Sequence, residues 1–145
     1  MTRRSLRLSV LIVDEDPAAL ISVQGLLVGS RFSDIHIDLA GSVEGALVCN
    51  EAREYHVVLT EMELAGLGGL GLMRAIHASR PHTSVLFMTS DANVLPVLLG
   101  SRAFGYVRKP IDAGYCIAAI RYAALYHQRE ATISLLKNTV DQLYS

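Results

Sequence analysis

The fold of this protein is decided by residues 57–69, whose sequence is VVLTEMELAGLGG. An apolar, β-branched run ends at Thr60 and at a carboxylate, Glu61, and a glycine-rich segment follows. Short apolar runs of this kind are typical of strands buried on both faces of a parallel sheet. Because ligands in such sheets bind at the carboxyl ends of the strands, Glu61 is the first candidate for a functional residue.

Composition and charge set limits on what the chain does. Its 145 residues are 51% hydrophobic and 19% charged, which indicates one folded domain with a sizeable core. A net charge of −1 gives no basis for direct binding to nucleic acid or to an anionic membrane. Cys49 and Cys116 lack metal-type spacing, and we find no signal peptide or membrane-spanning run, so we expect a cytoplasmic protein with reduced thiols.

Strand and helix patterns alternate five times along the chain. The pattern predicts strands at residues 8–13, 35–40, 57–60, 85–88 and 104–107. It predicts helices at residues 17–27, 43–53, 69–79 and 94–99, and a last helix from residue 113 to at least residue 127. The second strand alternates apolar and polar residues, as expected near an edge. This order predicts an α/β fold, a doubly wound parallel five-stranded sheet with helices on both faces.

The pattern changes after residue 128. Ile133, Leu136, Val140 and Leu143 follow a heptad-like spacing over less than two heptads. We therefore expect one folded domain at residues 1–128 and a helical extension or linker at residues 129–145. The extension is interpreted in two ways: as a frayed helix end that packs back on the domain, or as a dimerising helix that leads to an effector.

The predicted sheet brings polar residues together at one edge. Asp14 and Glu15 follow the first strand, Glu61 the third, Thr89 the fourth and Lys109 the fifth. Clustered carboxylate oxygens are suited to Mg²⁺, whereas a hydroxyl and an ammonium are donors suited to phosphoryl oxygens. The combination indicates phosphoryl chemistry with Mg²⁺ on a carboxylate.

The chain resembles the receiver domain of bacterial two-component response regulators over about residues 8–128. The matching features are the acidic pair Asp14-Glu15, Thr89, Tyr106, the Lys109-Pro110 step, and glycines at positions 66 and 69. The resemblance implies a flavodoxin-like, three-layer (βα)5 fold. It also implies that Thr89 and Tyr106 form a conformational switch, that Lys109 is the charge partner of the phosphoryl group, and that the Lys109-Pro110 bond is cis.

The chain departs from the family at the position of the phosphoacceptor. The family has Asp there, whereas this chain has Glu61, and no aspartate lies between Asp38 and Asp91. The longer side chain is expected to place a fixed negative charge where it accepts hydrogen bonds from Thr89 and Lys109 without being phosphorylated in the usual way, in a site held towards an active-like state. The alternative is that Glu61 is tolerated in a site that has drifted out of use.

The resemblance also implies ligands and partners. Asp14, Glu15 and Glu61, with the backbone carbonyl of Glu63, would hold Mg²⁺, but two Glu-for-Asp replacements crowd this small octahedral ion, so we expect weak binding at best. A histidine kinase or an effector domain is the implied protein partner. The last helices are expected to form a homodimer, with some of the apolar residues Tyr115, Ile117, Tyr122 and Tyr126 exposed at the interface.

The sequence also offers two alternative functions, a phosphohydrolase and a structural domain. The acidic run from Asp14 to Asp16 is similar to the Asp-x-Asp of Mg-dependent aspartate-nucleophile phosphohydrolases, but Pro17-Ala18 follows where that family needs Thr or Val. We therefore predict no enzyme and no catalytic residue. A purely structural dimerisation domain is the third possibility. The five histidines show no metal spacing and are expected at the surface.

Overall fold

The computed structural model describes residues 7–30, 32, 34–91 and 93–144. Within them, strands and helices alternate as predicted. The strands are β1 (Leu8–Val13), β2 (Ile35–Ala40), β3 (Val57–Glu61), β4 (Ser84–Thr89) and β5 (Gly105–Arg108). The helices are α1 (Pro17–Val28), α2 (Val43–Ala52), α3 (Gly68–Ser79), α4 (Leu95–Leu99) and α5 (Ala113–Tyr144). The outer limits of the predicted domains, at residues 1 and 145, lie outside the described residues.

All five strands are parallel and form one sheet in the order β2-β1-β3-β4-β5. Every residue of β1 and β4 is buried, as their unbroken apolar sequences predict. The alternating strand β2 lies at an edge and is half-buried, as predicted. The predicted doubly wound fold is therefore confirmed, and the carboxyl ends of β1, β3, β4 and β5 meet at one edge.

Side chains on the two faces of the sheet form two core layers. On one face, Leu11 and Val58 pack with residues of α2, α3 and α4. On the other face, Ile12 and Leu59 pack with residues of α1 and α5. Successive residues of a strand point to opposite faces, so a continuous apolar strand supplies both layers at once.

Polar side chains cap the amino ends of three helices. Asp16 accepts a hydrogen bond from Ala18 N at the start of α1, and Ser42 accepts from Gly45 N at the start of α2. Asp112 Oδ1 accepts from Tyr115 N, at 2.8 Å, at the start of α5. These bonds satisfy amide groups that lack a partner within the helix. Pro96 lies in the first turn of α4, where its missing amide costs nothing.

Helix α5 is one continuous helix of 32 residues, which extends well past the domain. Its apolar residues beyond His127 are exposed, with Leu136 60% and Leu143 75% accessible. The segment nevertheless contacts the domain, because Ser134 Oγ lies 3.2 Å from His82 Nε2, and both interpretations of the extension stay predictions. No helix in the described part of the chain is long and apolar enough to cross a membrane.

Candidate functional site at the carboxyl edge of the sheet

The carboxyl edge of the sheet brings together side chains that are distant in sequence. Asp14 follows β1, Glu61 ends β3, Thr89 ends β4 and Lys109 follows β5. Asp14 and Thr89 are buried, whereas Glu61 and Lys109 are partly exposed. The cluster predicted from the strand ends therefore forms, at the carboxyl edge of the sheet.

Lys109 is the centre of the charge arrangement. Its Nζ lies 2.9 Å from Asp14 Oδ2, and it is also ion-paired with Glu61 Oε2. Burial alone would lower the pKa of Lys109, but the hydrogen bonds and negative charges of Glu61 and Asp14 outweigh it, and the pKa is raised. One ammonium thus contacts carboxylates at the ends of two strands, because β5 delivers it to the point where β1 and β3 end.

The remaining carboxylate atoms bind backbone amides. Asp14 Oδ1 accepts from Asp16 N at 3.0 Å, which fixes the turn into α1. Glu15 Oε1 accepts from Ala65 N at 2.5 Å and so ties the β1–α1 turn to the segment after β3. Glu61 Oε1 faces Glu63 N at 3.4 Å, and the side chain of Glu63 is exposed. Of the predicted acidic residues, only Asp14 and Glu61 contact the same cation, Lys109.

The predicted metal ligands do not fit a magnesium site in this arrangement. No group of three or more His, Cys, Asp or Glu side chains in the described residues is placed to hold a metal ion. The oxygen donors are of the right kind for Mg²⁺, but Asp14 and Glu61 converge on Lys109 and Glu15 is turned to Ala65. A metal would have to displace these contacts.

The predicted switch residues lie on the neighbouring strands β4 and β5, where Thr89 pairs with Arg108 and Tyr106 pairs with Phe87. The Thr89 hydroxyl accepts from Asp91 N at 3.0 Å, and this is its hydrogen bond in the described structure, rather than the expected one to Glu61. Tyr106 is half-buried on the edge strand and packs against the layer that contains Phe87. Lys109 N donates to Thr89 O at 2.8 Å, and the Lys109-Pro110 bond is cis, as expected.

Glycines after Glu61 position the site in a way that sequence reasoning missed. Gly66 and Gly68 have φ values of 81° and 72°, which only glycine adopts readily. A Cβ on Gly69 would lie 2.8 Å from Glu61 O and 2.9 Å from Met62 O. The start of α3 therefore packs directly on the backbone of Glu61. The sequence pattern that could have indicated this packing is a run of glycines at the start of a helix, shortly after a carboxylate at a strand end.

A second polar cluster lies at the opposite end of the sheet, where α5 leaves the domain. His127 is buried, and its ring lies 4.9 Å from that of His56 in an edge-to-face arrangement. His56 Nδ1 accepts from Ser9 N at 3.0 Å. Burial and the neighbouring His127 lower the pKa of His56, although Glu54 acts in the opposite direction. The expectation that the histidines lie at the surface is wrong for His127 and for the buried His77, because the helix packing encloses them.

The outer side of α5 carries an apolar surface. Tyr115, Tyr122 and Tyr126 are largely exposed, whereas Ile117 is partly buried against the core. The expectation that part of this set is exposed is therefore confirmed for the tyrosines.

Comparisons with known proteins agree with this architecture. Residues 10–121 match the family model described as response regulator receiver domain. The transcriptional regulatory protein ZraR of Salmonella typhimurium is 28% identical over 131 residues, which are 89% of this chain and 29% of that protein. A putative two-component response regulator of Arabidopsis thaliana is 26% identical over 139 residues, 94% of this chain and 24% of that protein. The chain spans about a quarter of the length of these relatives.

Solved structures show the same fold. A signal receiver domain of an HD domain-containing protein from Pseudomonas fluorescens superposes with a TM-score of 0.79 at 24% identity, covering 91% of this chain and 97% of that one. NtrX from Brucella abortus gives a TM-score of 0.80 at 21% identity, over 90% of this chain and 30% of that one. The matched family model covers most of the described chain, from β1 into α5. This protein belongs to the response regulator receiver domain family.

Proposed function

We propose that this chain is a receiver domain in which Glu61 stands at the phosphoacceptor position and is not phosphorylated in the usual way. It acts through contacts with other proteins in signal transduction, in the cytoplasm and without direct contact to nucleic acid or membrane. The single observation that carries the proposal is the ion pairing of Lys109 with both Glu61 and Asp14. The group that would neutralise a phosphoryl charge is already engaged with a permanent carboxylate.

The length of the Glu61 side chain supports this proposal. Glu carries its carboxylate one methylene further from the backbone than Asp does. Phosphoryl transfer requires in-line placement of the nucleophile, and a misplacement of about 1 Å reduces the rate by about 10²-fold. Tight packing of Gly69 on the Glu61 backbone leaves the strand end little freedom to retract and restore that geometry.

Labelling with a small-molecule phosphodonor such as acetyl phosphate tests the proposal. The wild-type chain is expected to remain unlabelled, while Glu61→Asp restores the shorter carboxylate and gains label. Glu63→Asp is the matched control, because it makes the same change on a neighbouring exposed carboxylate and is expected to stay unlabelled. Stoichiometric labelling of the wild type that disappears in Glu61→Gln would overturn the proposal.

The partners follow from the same family. Transcriptional regulators are among the relatives, so the output is proposed to pass to an effector domain or to a separate protein, and a histidine kinase is a candidate partner. The output surface is proposed at α4, β5 and α5, and the receiver-like domain is proposed to end near residue 128, where α5 continues as an extension.

Catalytic turnover is not part of the proposal. Asp16, which would be the second acid of an Asp-x-Asp phosphohydrolase, accepts a hydrogen bond from Ala18 N as the cap of α1. A screen for phosphatase turnover with Mg²⁺ is expected to give no activity above that of the Asp14→Asn variant.

A further inference from the structure

A cavity of about 490 Å³ lies at the amino edge of the sheet, at the opposite ends of the strands from Glu61. It is formed by the turn before β4, the loop before β5 and helix α5. Its volume is within the range of about 300–1,000 Å³ that is typical of small-molecule sites. None of its lining residues belongs to the site around Lys109, so the proposed function gives the cavity no role.

Two side chains of opposite charge line this cavity without pairing with each other. Neither Arg102 nor Glu130 has an ion pair in the described residues. Arg102 Nη2 donates to Pro81 O at 3.4 Å, and a guanidinium has further N–H groups that can bind an acceptor. Glu130 is half-buried. Because a partly buried charge is costly without a counter-charge, a ligand that supplies both counter-charges is favoured here.

His77 also lines the cavity, but it is not a second cation. Its Nε2 lies 2.9 Å from Thr83 O, which fits an N–H donor on a neutral ring. Burial lowers the pKa of His77, and the charge of Arg102 acts in the same direction, although the hydrogen bond to Thr83 opposes them. Arg102 is therefore the permanent cation of the cavity, and Glu130 is the carboxylate among its described lining residues.

Aromatic surface lines the same cavity. The rings of Phe104 and Tyr126 have centroids 5.5 Å apart and are tilted by 51° to each other. Phe104 is partly buried, whereas Tyr126 is 48% exposed. Aromatic rings give a large apolar surface on which an apolar group can pack. The lining thus combines a cation, a carboxylate and an apolar wall.

We propose that this cavity binds a small zwitterion with an apolar side chain, which is the chemistry of an apolar α-amino acid. Arg102 binds the carboxylate through charge-assisted hydrogen bonds, and Glu130 binds the ammonium. Phe104 and Tyr126 contact the apolar side chain. A simple anion would be repelled by Glu130 and a simple cation by Arg102, so the two charges together select a ligand that carries both.

The ligand would also hold the extension of α5 against the domain. Glu130 belongs to α5, whereas Arg102 belongs to the loop before β5. Ser134 Oγ of α5 lies 3.2 Å from Nε2 of His82, a residue of the cavity lining, so the two sides are already in contact. A ligand that bridges Arg102 and Glu130 adds charge-assisted bonds to this contact and shifts the extension towards the domain-bound position.

Isothermal titration of the whole chain with L-phenylalanine and L-leucine tests the site. Dissociation constants of about 1 mM or lower are expected. Glycine, which carries the same charges without a side chain, is expected to bind about tenfold more weakly or worse. Arg102→Gln and Glu130→Gln are each expected to raise the dissociation constant by about tenfold or more. Arg129→Gln and Glu51→Gln make the same changes on exposed side chains outside the cavity and are expected to bind like the wild type.

Hydrogen exchange measures the effect on the extension. With saturating L-phenylalanine, the amides of residues 128–136 are expected to exchange more slowly in the wild type. Glu130→Gln is expected to lose this protection, because it removes the bond from the ligand to α5. Unchanged exchange in a wild type that has bound the ligand would overturn the link to the extension.

Modified ligands identify the charge that each residue binds. N-acetyl-L-phenylalanine lacks the ammonium and is expected to bind weakly, and equally to the wild type and to Glu130→Gln. L-phenylalanine amide lacks the carboxylate and is expected to bind equally to the wild type and to Arg102→Gln. Absence of binding of both amino acids at about 10 mM, or wild-type affinity in both cavity variants, would overturn the inference.

The acetylated ligand also separates a zwitterion site from an anion site. If it binds the wild type as tightly as L-phenylalanine does, the cavity takes an anion alone and the inference is wrong. The cavity and Glu61 lie at opposite edges of the sheet, so the outcome of these titrations and the labelling of Glu61 are independent.

Discussion

The carboxylate of Glu61 and the ammonium of Lys109 form an ion pair across the carboxyl ends of β3 and β5. The strand between them, β4, contributes the buried Thr89, and β1 contributes Asp14, which binds the same ammonium. Two carboxylates held close together repel unless a cation lies between them. Lys109 is that cation in this structure, and its single positive charge offsets one of the two negative charges.

Removal of the Lys109 ammonium is expected to destabilise the protein. Lys109→Ala leaves the buried Asp14 and the partly buried Glu61 facing each other without a counter-charge. The expected loss is about 1–3 kcal/mol, below the full cost of breaking a buried pair because Lys109 is partly exposed. Urea denaturation measures it, with Lys137→Ala on the exposed tail as the control. Adding Glu61→Gln to Lys109→Ala is expected to recover part of the loss, and full additivity of the two changes would contradict the pairing.

Magnesium is expected to bind weakly, because it must compete with Lys109 for the oxygens of Asp14 and Glu61. Isothermal titration of the wild type is expected to give millimolar or weaker affinity, on the order of 1 mM. Lys109→Ala is expected to bind more tightly than the wild type, since it frees both carboxylates. Tight binding by the wild type, or weaker binding by the variant, would show that Lys109 is not the competitor.

Gly69 is expected to tolerate no side chain. A methyl group in Gly69→Ala would lie within 3 Å of backbone oxygens of Glu61 and Met62, which cannot move without shifting the end of β3. The expected loss of stability is about 1–3 kcal/mol. Gly25→Ala in α1 is the matched control, because a Cβ there meets nothing within 4 Å, and it is expected to stabilise by about 0.5–1 kcal/mol. Thermal unfolding of the two variants compares them directly, and equal effects would contradict the packing argument.

Stability is expected to fall on mild acidification because of buried histidines. Burial lowers the pKa of His56 and of His77 below the ordinary value of 6.5. Below that value the unfolded chain binds protons that the folded chain does not. The free energy of unfolding therefore has its full value above about pH 6.5 and decreases progressively as the pH falls below it.

Unfolding in urea between about pH 7.5 and 5 measures this dependence. His56→Gln is expected to flatten it, since Gln retains an acceptor for Ser9 N but does not titrate. His82→Gln, at a half-exposed position, is the control and is expected to keep the wild-type slope. A wild type whose stability is constant over this range would contradict the prediction.

The two cysteines are expected to differ in reactivity. Burial of the Cys116 thiol raises its pKa to about 11, whereas Cys49 is only partly buried. At pH 8 the thiolate fraction of Cys116 is reduced by about 100-fold, so a thiol reagent is expected to modify it that much more slowly in the folded protein than in urea. The slow phase of the modification reaction is expected to be absent in Cys116→Ala, which assigns it to Cys116. Equal rates for both thiols in the native protein would mean that α5 opens readily.

Much of the site was predictable because a parallel sheet places all its strand ends at one edge. Asp14, Glu61, Thr89 and Lys109 each follow or end an apolar run, and that pattern alone predicts that they meet. Their individual contacts were not predictable. Thr89 binds the amide of Asp91, two residues along the chain, rather than Glu61. Glu15 reaches Ala65, and this bond depends on the distance between two turns that are far apart in sequence.

The sequence by itself determined the order of elements, the parallel sheet and the position of Glu61 at the end of a strand, since these follow from hydrophobic periodicity and residue identity. Only the tertiary structure decided that Lys109 bridges Asp14 and Glu61, that Gly69 packs on the Glu61 backbone, and that His127 is enclosed. It also decided that the large apolar residues of α5 beyond His127 are exposed. Periodicity tells which face of an element is apolar, whereas contact between distant residues depends on how the elements are packed together.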